Sequence, residues 1–545
     1  MVSRTGLRAT LPLRADAAAK SMVYNPATME PPTEPPAPHL GPRAASHPDR
    51  PAVVMAASGV VTTYRELDER SNRLAHVFRR AGLRAGDHIA LMMENGSPFV
   101  ETAWAAQRAG LYYTALNSHL RRDEAQYILD DCGAKALAIT SGLAEVAASL
   151  DLTGVPLRIA AGDEVPGFAS LEEIVRDSPS TALDDEAEGR EMLYSSGTTG
   201  VPKGVRKPLG VTVPGDPQAP SVAIALGIGA MGITADSVYL SPAPLYHSAP
   251  LVYTMAMHRL GATTVIMESF DAAGCLDAIQ RYRVTHAQFV PTMFIRILRL
   301  PEEQRAAYDV SSLRYVVHAA APCPVPVKRR MLEWWGPIIY EYYAGTEDLG
   351  SSFITPGEWL EHPGSVGRPR DELHIVGDNG DELANGEAGT IYFAGGREFE
   401  YHNDPGKTAS VRDRHGWRTL GDVGYVDNDG YLYLTDRSAD MIVSGGVNIY
   451  PREAEQVLLA HPAVLDAAVF GIPDDEFGES VKGVVELSEP ASEAELLDWC
   501  REHLATYKCP RSIDVVETLP RDPSGKLFKR LLKEPYWEGH DSRIV

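Results

Sequence analysis

Apolar segments alternate with amphipathic segments along most of the chain. In residues 67–82, Leu67, Leu74 and Phe78 recur at helical spacing, and residues 88–93 then form an apolar run typical of a buried strand. The same order of helix and strand recurs at residues 103–116 and 124–140. Repeated units of this kind predict an α/β fold in which a mostly parallel sheet is covered by helices on both faces.

The pattern changes near residue 437. Before it, Asp-Gly and Asn-Gly steps separate short apolar segments and predict strands joined by tight turns. After it, the pattern predicts a helix, two strands, a second helix and a further strand. We therefore expect a large N-terminal domain over residues 46–437 and a small α+β C-terminal domain over residues 438–545.

The first 45 residues have a different composition. They contain the prolines Pro26, Pro31, Pro32, Pro35, Pro36, Pro38 and Pro42. Closely spaced prolines favour extended polyproline geometry and cannot build a core, so we expect residues 1–45 to form a disordered leader outside the fold. The leader lacks the apolar block of a secretory signal, and a transit peptide is the alternative interpretation.

Composition narrows the class of protein. The 545 residues include 51 Lys and Arg against 74 Asp and Glu, a net charge of −23, which disfavours binding to nucleic acid or to anionic membranes. We also expect no transmembrane segment. The cysteines, Cys132, Cys275, Cys323, Cys500 and Cys509, are scattered and lack zinc-ligand spacing. A cytoplasmic enzyme with buried, unpaired cysteines is the expectation.

The segment YSSGTTGVPKG, residues 194–204, is the strongest chemical motif. Its glycines allow backbone N–H groups to approach an anion, its hydroxyls can donate, and Lys203 adds a positive charge. The candidate phosphate-binding residues are Ser195, Ser196, Gly197, Thr198, Thr199, Gly200 and Lys203. The segment lacks P-loop spacing, and a polar turn between strands is the alternative, but the density of donors favours a phosphate loop.

Four later segments add further polar groups. EYYAGTE (341–347) offers an aromatic ring, a hydroxyl and a carboxylate, and GWRTLGDVG (416–424) places an aspartate in a turn. The other two segments, 435–455 and 520–530, carry an arginine, a Gly-Gly pair and a lysine. Taken singly, such charged residues are usually solvated surface groups. Their joint occurrence in this order is much more specific.

With these motifs the sequence resembles the adenylate-forming superfamily, which includes acyl-CoA synthetases, the adenylation domains of peptide synthetases and beetle luciferase. The resemblance extends from about Ala52 to Arg530 and is closest to the acyl-CoA synthetases. It implies a large N-terminal domain of two α/β subdomains plus a β-barrel subdomain. It also implies a small mobile C-terminal domain that closes over the site.

The resemblance also implies roles for individual residues. Ser195 to Lys203 match the pyrophosphate-binding loop, and Glu347 matches the ligand of the Mg²⁺ that accompanies ATP. Tyr343 would lie against adenine, while Asp422 and Arg437 would bind the ribose. Thr346 would contact the α-phosphate and the acyl oxygen, and Lys526 would bridge the acyl carboxylate and the α-phosphate during catalysis. Gly445 and Gly446 would line the channel for CoA, the co-substrate.

The segment PLYHSAP, residues 244–250, bears on the choice of acid. It offers His247 and no carboxylate that could pair with the ammonium of an amino acid, which disfavours an α-amino acid as the substrate. The resemblance implies that His247 matches the family's histidine at the acyl end of the pocket. A core histidine is the alternative. Ala319 to Ala321 leave little side-chain bulk, and they suggest a roomy apolar pocket together with Leu251, Val252, Phe289, Met293 and Phe294. Core packing explains the same residues equally well.

The predicted function is therefore an AMP-forming acyl-CoA synthetase whose acid is hydrophobic, with a fatty acid as the first expectation. No extra block separates Glu347 from Asp422, which favours thioester formation over release of the adenylate. The alternatives are a carrier-protein-loading ligase, an aromatic or polycyclic acid–CoA ligase, and a catalytically silent ligand sensor.

The usual charged hinge residue of the family is replaced by Ala439, so the hinge falls at Ala439 or Asp440. A homodimer is compatible with this prediction.

Overall fold

The computed structural model describes most of the chain after the leader. The described residues are 38–195, 202–210, 214–215, 231–321, 323–377, 379–437, 442–444, 447–474, 477–521 and 527–538. Helices and strands alternate through the first three quarters of this range, as the sequence predicted.

A nine-stranded sheet is the largest layer among the described residues. Its strands, in spatial order, are Arg368–Pro369, Ser351–Ile354, Ile339–Ala344, Tyr315–His318, His286–Phe289, Val238–Ser241, Thr263–Ile266, Pro51–Met55 and Val61–Thr63. The six from Ile339–Ala344 to Pro51–Met55 run parallel, and the outer strands are antiparallel. Their central residues, among them Val265, Leu240 and Val316, are fully buried, which explains the continuous apolar runs in the sequence.

A second sheet of six described strands is parallel throughout. In spatial order these strands are Ala169–Ser170, Leu157–Ala161, Ala136–Thr140, His88–Met92, Tyr112–Ala115 and Arg190–Glu191. The predicted helix and strand pairs between residues 67 and 140 are therefore confirmed.

The helices of the described residues cover both parallel sheets and the C-terminal part. They are Leu40–Ser46, Tyr64–Arg80, Ser97–Arg108, Arg122–Cys132, Ala144–Ser149, Leu171–Arg176, Ser248–Leu260, Ala272–Tyr282, Pro291–Leu298, Glu302–Ala306, Val325–Trp335, Pro356–Glu361, Pro405–Ser410, Pro451–Leu459, Glu493–His503 and Lys529–Trp537. Helix Tyr64–Arg80 illustrates the local cause. Thr63 and Glu66 cap its N-terminus reciprocally, and Leu67, Leu74 and Phe78 are buried along one face.

Two antiparallel sheets accompany the parallel ones among the described residues. One contains Leu373–Val376, Gly389–Phe393, Asp422–Val426 and Leu432–Arg437, and the other contains Glu400–Tyr401, Lys203–Arg206 and Leu193–Ser195. The predicted tight turn at Asp429-Gly430 is present, with a φ of 83° at Gly430. That left-handed conformation is strained for any residue with a side chain, which accounts for the glycine.

The C-terminal part has a sheet and a core of its own. Its described strands are Val447–Ile449, Ile442–Ser444, Gly478–Leu487, Val464–Asp474 and Ser512–Val516. Ile442, Leu458, Val485 and Leu496 are buried together in this core. The predicted order of helix, two strands, helix and strand is confirmed, and the protein has a large N-terminal and a small C-terminal domain.

The fold begins earlier than the sequence suggested. Helix Leu40–Ser46 buries Leu40 and Ala44, and the Arg43 Nε donates to Arg259 O at 2.9 Å. The His39 ring lies edge-on against Trp104 at 5.5 Å. The prediction that residues 1–45 lie outside the fold is therefore wrong for residues 38–45. The proline content predicted extended chain, but contacts with distant residues stabilise a short helix here.

Two smaller predictions also concern the fold. The five cysteines are unpaired and buried, as expected. None of the helices in the described part of the chain combines the length and hydropathy needed to cross a membrane.

Candidate active site

Tyr343 and Asp422 meet near the C-terminal end of strand Ile339–Ala344 of the nine-stranded sheet. Tyr343 lies on strand Ile339–Ala344, and its hydroxyl donates a 2.7 Å hydrogen bond to Asp422 Oδ2. Asp422 begins strand Asp422–Val426 and is 8% exposed. Its directly opposed residue on the neighbouring strand is Arg437. The structure thus brings together the three residues that the sequence assigned to the nucleoside.

Glu347 lies in the turn that follows the Tyr343 strand. Its carboxylate is 8% exposed, and Oε1 accepts a 3.0 Å hydrogen bond from the Tyr401 hydroxyl. The Lys203 ammonium lies 5.9 Å from the centre of the Tyr401 ring. Tyr401 therefore contacts both groups: its hydroxyl binds the Glu347 carboxylate, which suits a metal, and its ring lies near the Lys203 ammonium, which suits phosphate.

The turn that carries Thr346 and Glu347 is tightly packed. A Cβ at Gly345 would lie 2.7 Å from Leu420 Cδ1, and a Cβ at Gly350 would lie 2.2 Å from Phe393 Cδ1. These glycines allow the turn to lie against the antiparallel sheet that contains Asp422. Thr346 is half-buried within the turn.

Ser195 and Lys203 are the two ends of the predicted phosphate loop. They are directly opposed residues on the antiparallel strands Leu193–Ser195 and Lys203–Arg206. Next to them, the Tyr194 hydroxyl donates to Asp131 Oδ2 at 2.5 Å. Partial burial and the neighbouring Lys407 ammonium lower the pKa of Lys203. The residues at the two ends of the predicted loop are therefore anchored on paired strands.

Several predicted residues lie outside the described residues. They are Ser196, Gly197, Thr198, Thr199 and Gly200 of the phosphate loop, Ala439 and Asp440 of the hinge, Gly445 and Gly446 of the CoA channel, and Lys526. The side chain of Arg437 also lies outside the described structure. Their roles stay predictions.

His247 directly precedes helix Ser248–Leu260 and is half-buried. Its ring centre lies 4.5 Å from that of Tyr246. Farther along the same helix, Tyr253 stacks on Tyr342 with ring centres 6.2 Å apart. Tyr342 in turn accepts a 2.9 Å hydrogen bond from the Gln288 amide. A stacked tyrosine pair therefore joins the His247 helix to the Tyr343 strand.

Phe289 and Phe294, suggested as pocket residues, pack in the core. Their ring centres are 5.3 Å apart, and each ring contacts Trp335, at 5.6 and 6.0 Å. Both phenylalanines are at most 1% exposed. The alternative of core packing therefore describes these two residues.

Glu341 begins the quoted segment EYYAGTE, but the sequence analysis assigned it no role. Its Oε2 lies 2.6 Å from the Lys328 ammonium and 3.4 Å from His318 Nε2, and all three side chains are buried. Burial raises the pKa of Glu341, although Lys328 opposes this shift, and burial lowers the pKa of His318. A charged residue within an otherwise uncharged strand was the available signal, because a buried charge requires a partner.

Tyr401 was the other residue missed. It is a buried tyrosine on strand Glu400–Tyr401, 54 positions from the Glu347 that it contacts. No local motif marks it.

The chain is similar to known proteins over most of its length. A family model described as AMP-binding enzyme matches residues 41–399, and one described as AMP-binding enzyme C-terminal domain matches residues 453–526. A feruloyl-CoA synthase of Amycolatopsis is 35% identical over 88% of this chain and 94% of its own length. A long-chain-fatty-acid–CoA ligase of Mycobacterium tuberculosis is 31% identical over 91% of this chain and 97% of its own.

A solved structure has a similar fold over nearly the whole chain. The o-succinylbenzoate CoA synthetase of Bacillus subtilis, in complex with its acyl-adenylate intermediate, matches with a TM-score of 0.74 and 29% identity. The match covers 92% of this chain and 98% of that one.

Proposed function

The chain belongs to the AMP-binding enzymes, whose similar members include acyl-CoA and aryl-CoA ligases, and we propose that it joins a hydrophobic carboxylic acid to CoA through an acyl-adenylate. The observation that carries the proposal is the cluster of Tyr343, Asp422 and Glu347 beside the hairpin that ends at Lys203. This cluster combines groups suited to a nucleoside, a divalent cation and phosphate.

The first step makes the mixed anhydride. An oxygen of the acid attacks the α-phosphorus of ATP, the bond to the β-phosphate oxygen breaks, and pyrophosphate leaves. Two anionic groups must approach each other, so fixed positive charge in a site that excludes water lowers the barrier. We assign this charge to Lys526 at the acyl and α-phosphate oxygens, and to Lys203 with the loop from Ser195 at the departing pyrophosphate.

Glu347 suits a Mg²⁺ ion. The cation prefers oxygen ligands, and in nucleotide sites it takes one or two carboxylates together with phosphate oxygens. Tyr401 holds Oε1 of the buried Glu347, so we assign the metal to Oε2. When bound, the ion would neutralise phosphate charge.

The second step transfers the acyl group. The CoA thiolate attacks the acyl carbon, the bond to the phosphate oxygen breaks, and AMP leaves. We propose that residues 438–545 rotate at Ala439 or Asp440 between the steps, which would withdraw Lys526 and present Gly445 and Gly446 to CoA. The separate core of the C-terminal domain supports movement as one body.

The similar proteins differ in the acid that their names give. A fatty acid remains the first candidate, in line with the mycobacterial ligase. An aromatic acid is the second, and a specific observation favours it. Tyr253 and Tyr342 stack between the His247 helix and the Tyr343 strand, and the Gln288 amide donates to the Tyr342 hydroxyl. A flat ring with a polar substituent suits such a wall better than a long alkyl chain does.

One experiment tests both the reaction and the acid. The protein is given Mg-ATP, CoA and a panel of fatty, hydroxycinnamic and polycyclic acids, and the products are identified by mass. Acyl-CoA, AMP and pyrophosphate in equal amounts are expected for one class of acid. Adenylate without thioester, in the absence of any partner protein, would instead favour a carrier-protein-loading ligase. Absence of both products with every acid would refute the proposal.

A further inference from the structure

The residues on either side of segment 522–526 are held together. The segment itself lies outside the described residues and ends at Lys526. Arg521 and Leu527 form an antiparallel bridge, and the Phe528 N–H donates to Pro520 O at 2.8 Å. The two ends of the segment are therefore closed against each other.

Asp466 holds one of these ends by a bidentate ion pair. The Arg521 Nε lies 2.6 Å from Asp466 Oδ2, and Nη2 lies 2.7 Å from Oδ1. Asp466 is 6% exposed and lies where the register between strands Val464–Asp474 and Gly478–Leu487 shifts by one residue. Two parallel hydrogen bonds fix the orientation of the guanidinium as well as its position.

The chain beyond the segment is anchored too. Helix Lys529–Trp537 begins with Lys529, whose ammonium lies 2.8 Å from Glu455 Oε1. At the other end of the helix, the Trp537 Nε1 donates to Gly471 O at 3.1 Å. Helix Lys529–Trp537 thus anchors the chain after the segment. Before the segment, the anchor is the ion pair between Arg521 and Asp466.

We propose that Asp466 and Arg521 are positioning residues for Lys526. By fixing the base of the segment, they determine where the lysine ammonium arrives when the C-terminal domain closes for adenylate formation. The inference rests on the proposed function, in which Lys526 acts in that step. An error of about 1 Å in placing such a group can cost on the order of 100-fold in rate, so an arginine fixed at the base by a buried carboxylate can affect the rate strongly.

The proposal separates the two half-reactions. Adenylate formation uses Lys526, whereas transfer from a preformed acyl-adenylate to CoA does not. A pair that only stabilises the C-terminal domain would affect both steps alike. A pair that positions Lys526 affects the first step much more than the second.

The test uses the full-length Asp466→Asn and Arg521→Gln variants with an acid found active in the panel. Adenylate formation is followed by acid-dependent exchange of pyrophosphate into ATP, and transfer is followed with synthetic acyl-adenylate and CoA. In each variant we expect exchange to fall by about 10- to 100-fold and transfer to stay within about twofold. The double variant should be no slower than the slower single variant, because the two residues act as one unit.

Matched variants make the result specific. Arg521→Lys keeps the charge but loses the bidentate geometry and should recover part of the exchange rate. Asp498→Asn removes the exposed Arg501–Asp498 pair of the same domain, and both half-reactions should be unchanged. Thermal unfolding is recorded for every variant. If Asp466→Asn does not fold, the Arg521→Gln variant decides, since the Arg521 side chain is 24% exposed.

The outcomes distinguish this inference from the function on which it rests. If wild-type protein gives no exchange with any acid, the proposed function fails. If Lys526→Ala retains exchange, the function stands, but the role of Lys526 and the positioning role that depends on it are refuted. If Lys526→Ala loses exchange while the Asp466 and Arg521 variants keep it, the positioning role is refuted. An equal fall in both half-reactions of these variants would also refute it.

Discussion

The hydroxyl of Tyr343 donates a 2.7 Å hydrogen bond to the carboxylate of Asp422, a residue 79 positions later in the chain. The contact joins the nine-stranded sheet to the antiparallel sheet that follows it. In the proposed function Tyr343 contacts adenine and Asp422 contacts ribose, so this hydrogen bond links the two nucleoside-binding residues. The aromatic face and the carboxylate are therefore held as one unit before ATP binds.

Tyr343→Phe should weaken ATP binding with little effect on turnover. The variant keeps the ring but removes the donor to Asp422, and a hydrogen bond to a charged group contributes about 1.5 kcal/mol or more, so the KM for ATP should rise about tenfold. Steady-state kinetics with saturating acid and CoA measure this change. The control is Tyr425→Phe, on the same strand as Asp422, and its KM should match wild type. An unchanged KM in Tyr343→Phe would contradict the assignment.

Glu347→Gln should raise the Mg²⁺ concentration needed for half-maximal adenylate formation by about tenfold, because an amide is a poorer ligand than a carboxylate. Pyrophosphate exchange over a Mg²⁺ titration measures this. Tyr401→Phe keeps the carboxylate and removes the 3.0 Å hydrogen bond to it, so its effect should be smaller. The same Mg²⁺ dependence in Glu347→Gln and wild type would count against Glu347 as a ligand.

Lys526→Ala should abolish adenylate formation, with a loss on the order of 100- to 1,000-fold or more, because a fixed positive charge at the developing oxyanions is removed. Acyl transfer from preformed adenylate should be largely retained. The two half-reactions are measured separately. Near wild-type adenylate formation in this variant would show that Lys526 has been assigned wrongly.

Breaking the buried pair of Lys328 and Glu341 should destabilise the protein strongly. Lys328→Met leaves the Glu341 carboxylate buried without its 2.6 Å partner, and such a change costs about 3–5 kcal/mol. Adding Glu341→Met should recover much of this loss, because no uncompensated charge then remains. Urea unfolding measures both changes. If the double variant is no more stable than Lys328→Met, the cost does not come from the unpaired charge.

Asp49→Asn is the matched surface control for that experiment. It removes the exposed pair between Arg65 and Asp49, whose atoms are 3.0 Å apart, and should change the free energy of unfolding by less than about 1 kcal/mol.

Acid should destabilise the protein through His258. This fully buried ring accepts from the Trp104 Nε1 at 3.2 Å and lies 2.9 Å from Thr264 Oγ1, and burial lowers its pKa to about 3. The unfolded pKa is about 6.5, so the contribution is complete above that pH and is lost as pH falls toward 3. By pH 5 the loss is about 2 kcal/mol.

Unfolding by urea at pH 7.5 and pH 5 measures that loss. The His258→Gln variant should show a smaller difference between the two pH values than wild type, whatever its absolute stability. An identical difference in both proteins would show that the pKa of His258 is not lower in the folded state than in the unfolded state.

Much of the fold could be predicted because its causes are local. Helix Tyr64–Arg80 follows from apolar spacing and a capping pair three residues apart. The hairpin base at Ser195 and Lys203 likewise lies within one segment, and the buried strands follow from continuous apolar runs. The resemblance then supplied roles for Tyr343, Asp422 and Glu347, which occupy one region of the structure.

By itself, then, the sequence determined the order of the elements, because spacing and turn chemistry act over a few positions. The site residues stay predictions that the family resemblance implied. Only the tertiary structure decided that Tyr401 holds Glu347, that Glu341 pairs with Lys328, and that Asp466 clamps Arg521. The helix Leu40–Ser46, surrounded by prolines, was decided in the same way. These choices depend on which segments meet after the sheets assemble, and a buried charge or hydroxyl takes its partner from whatever the fold brings beside it.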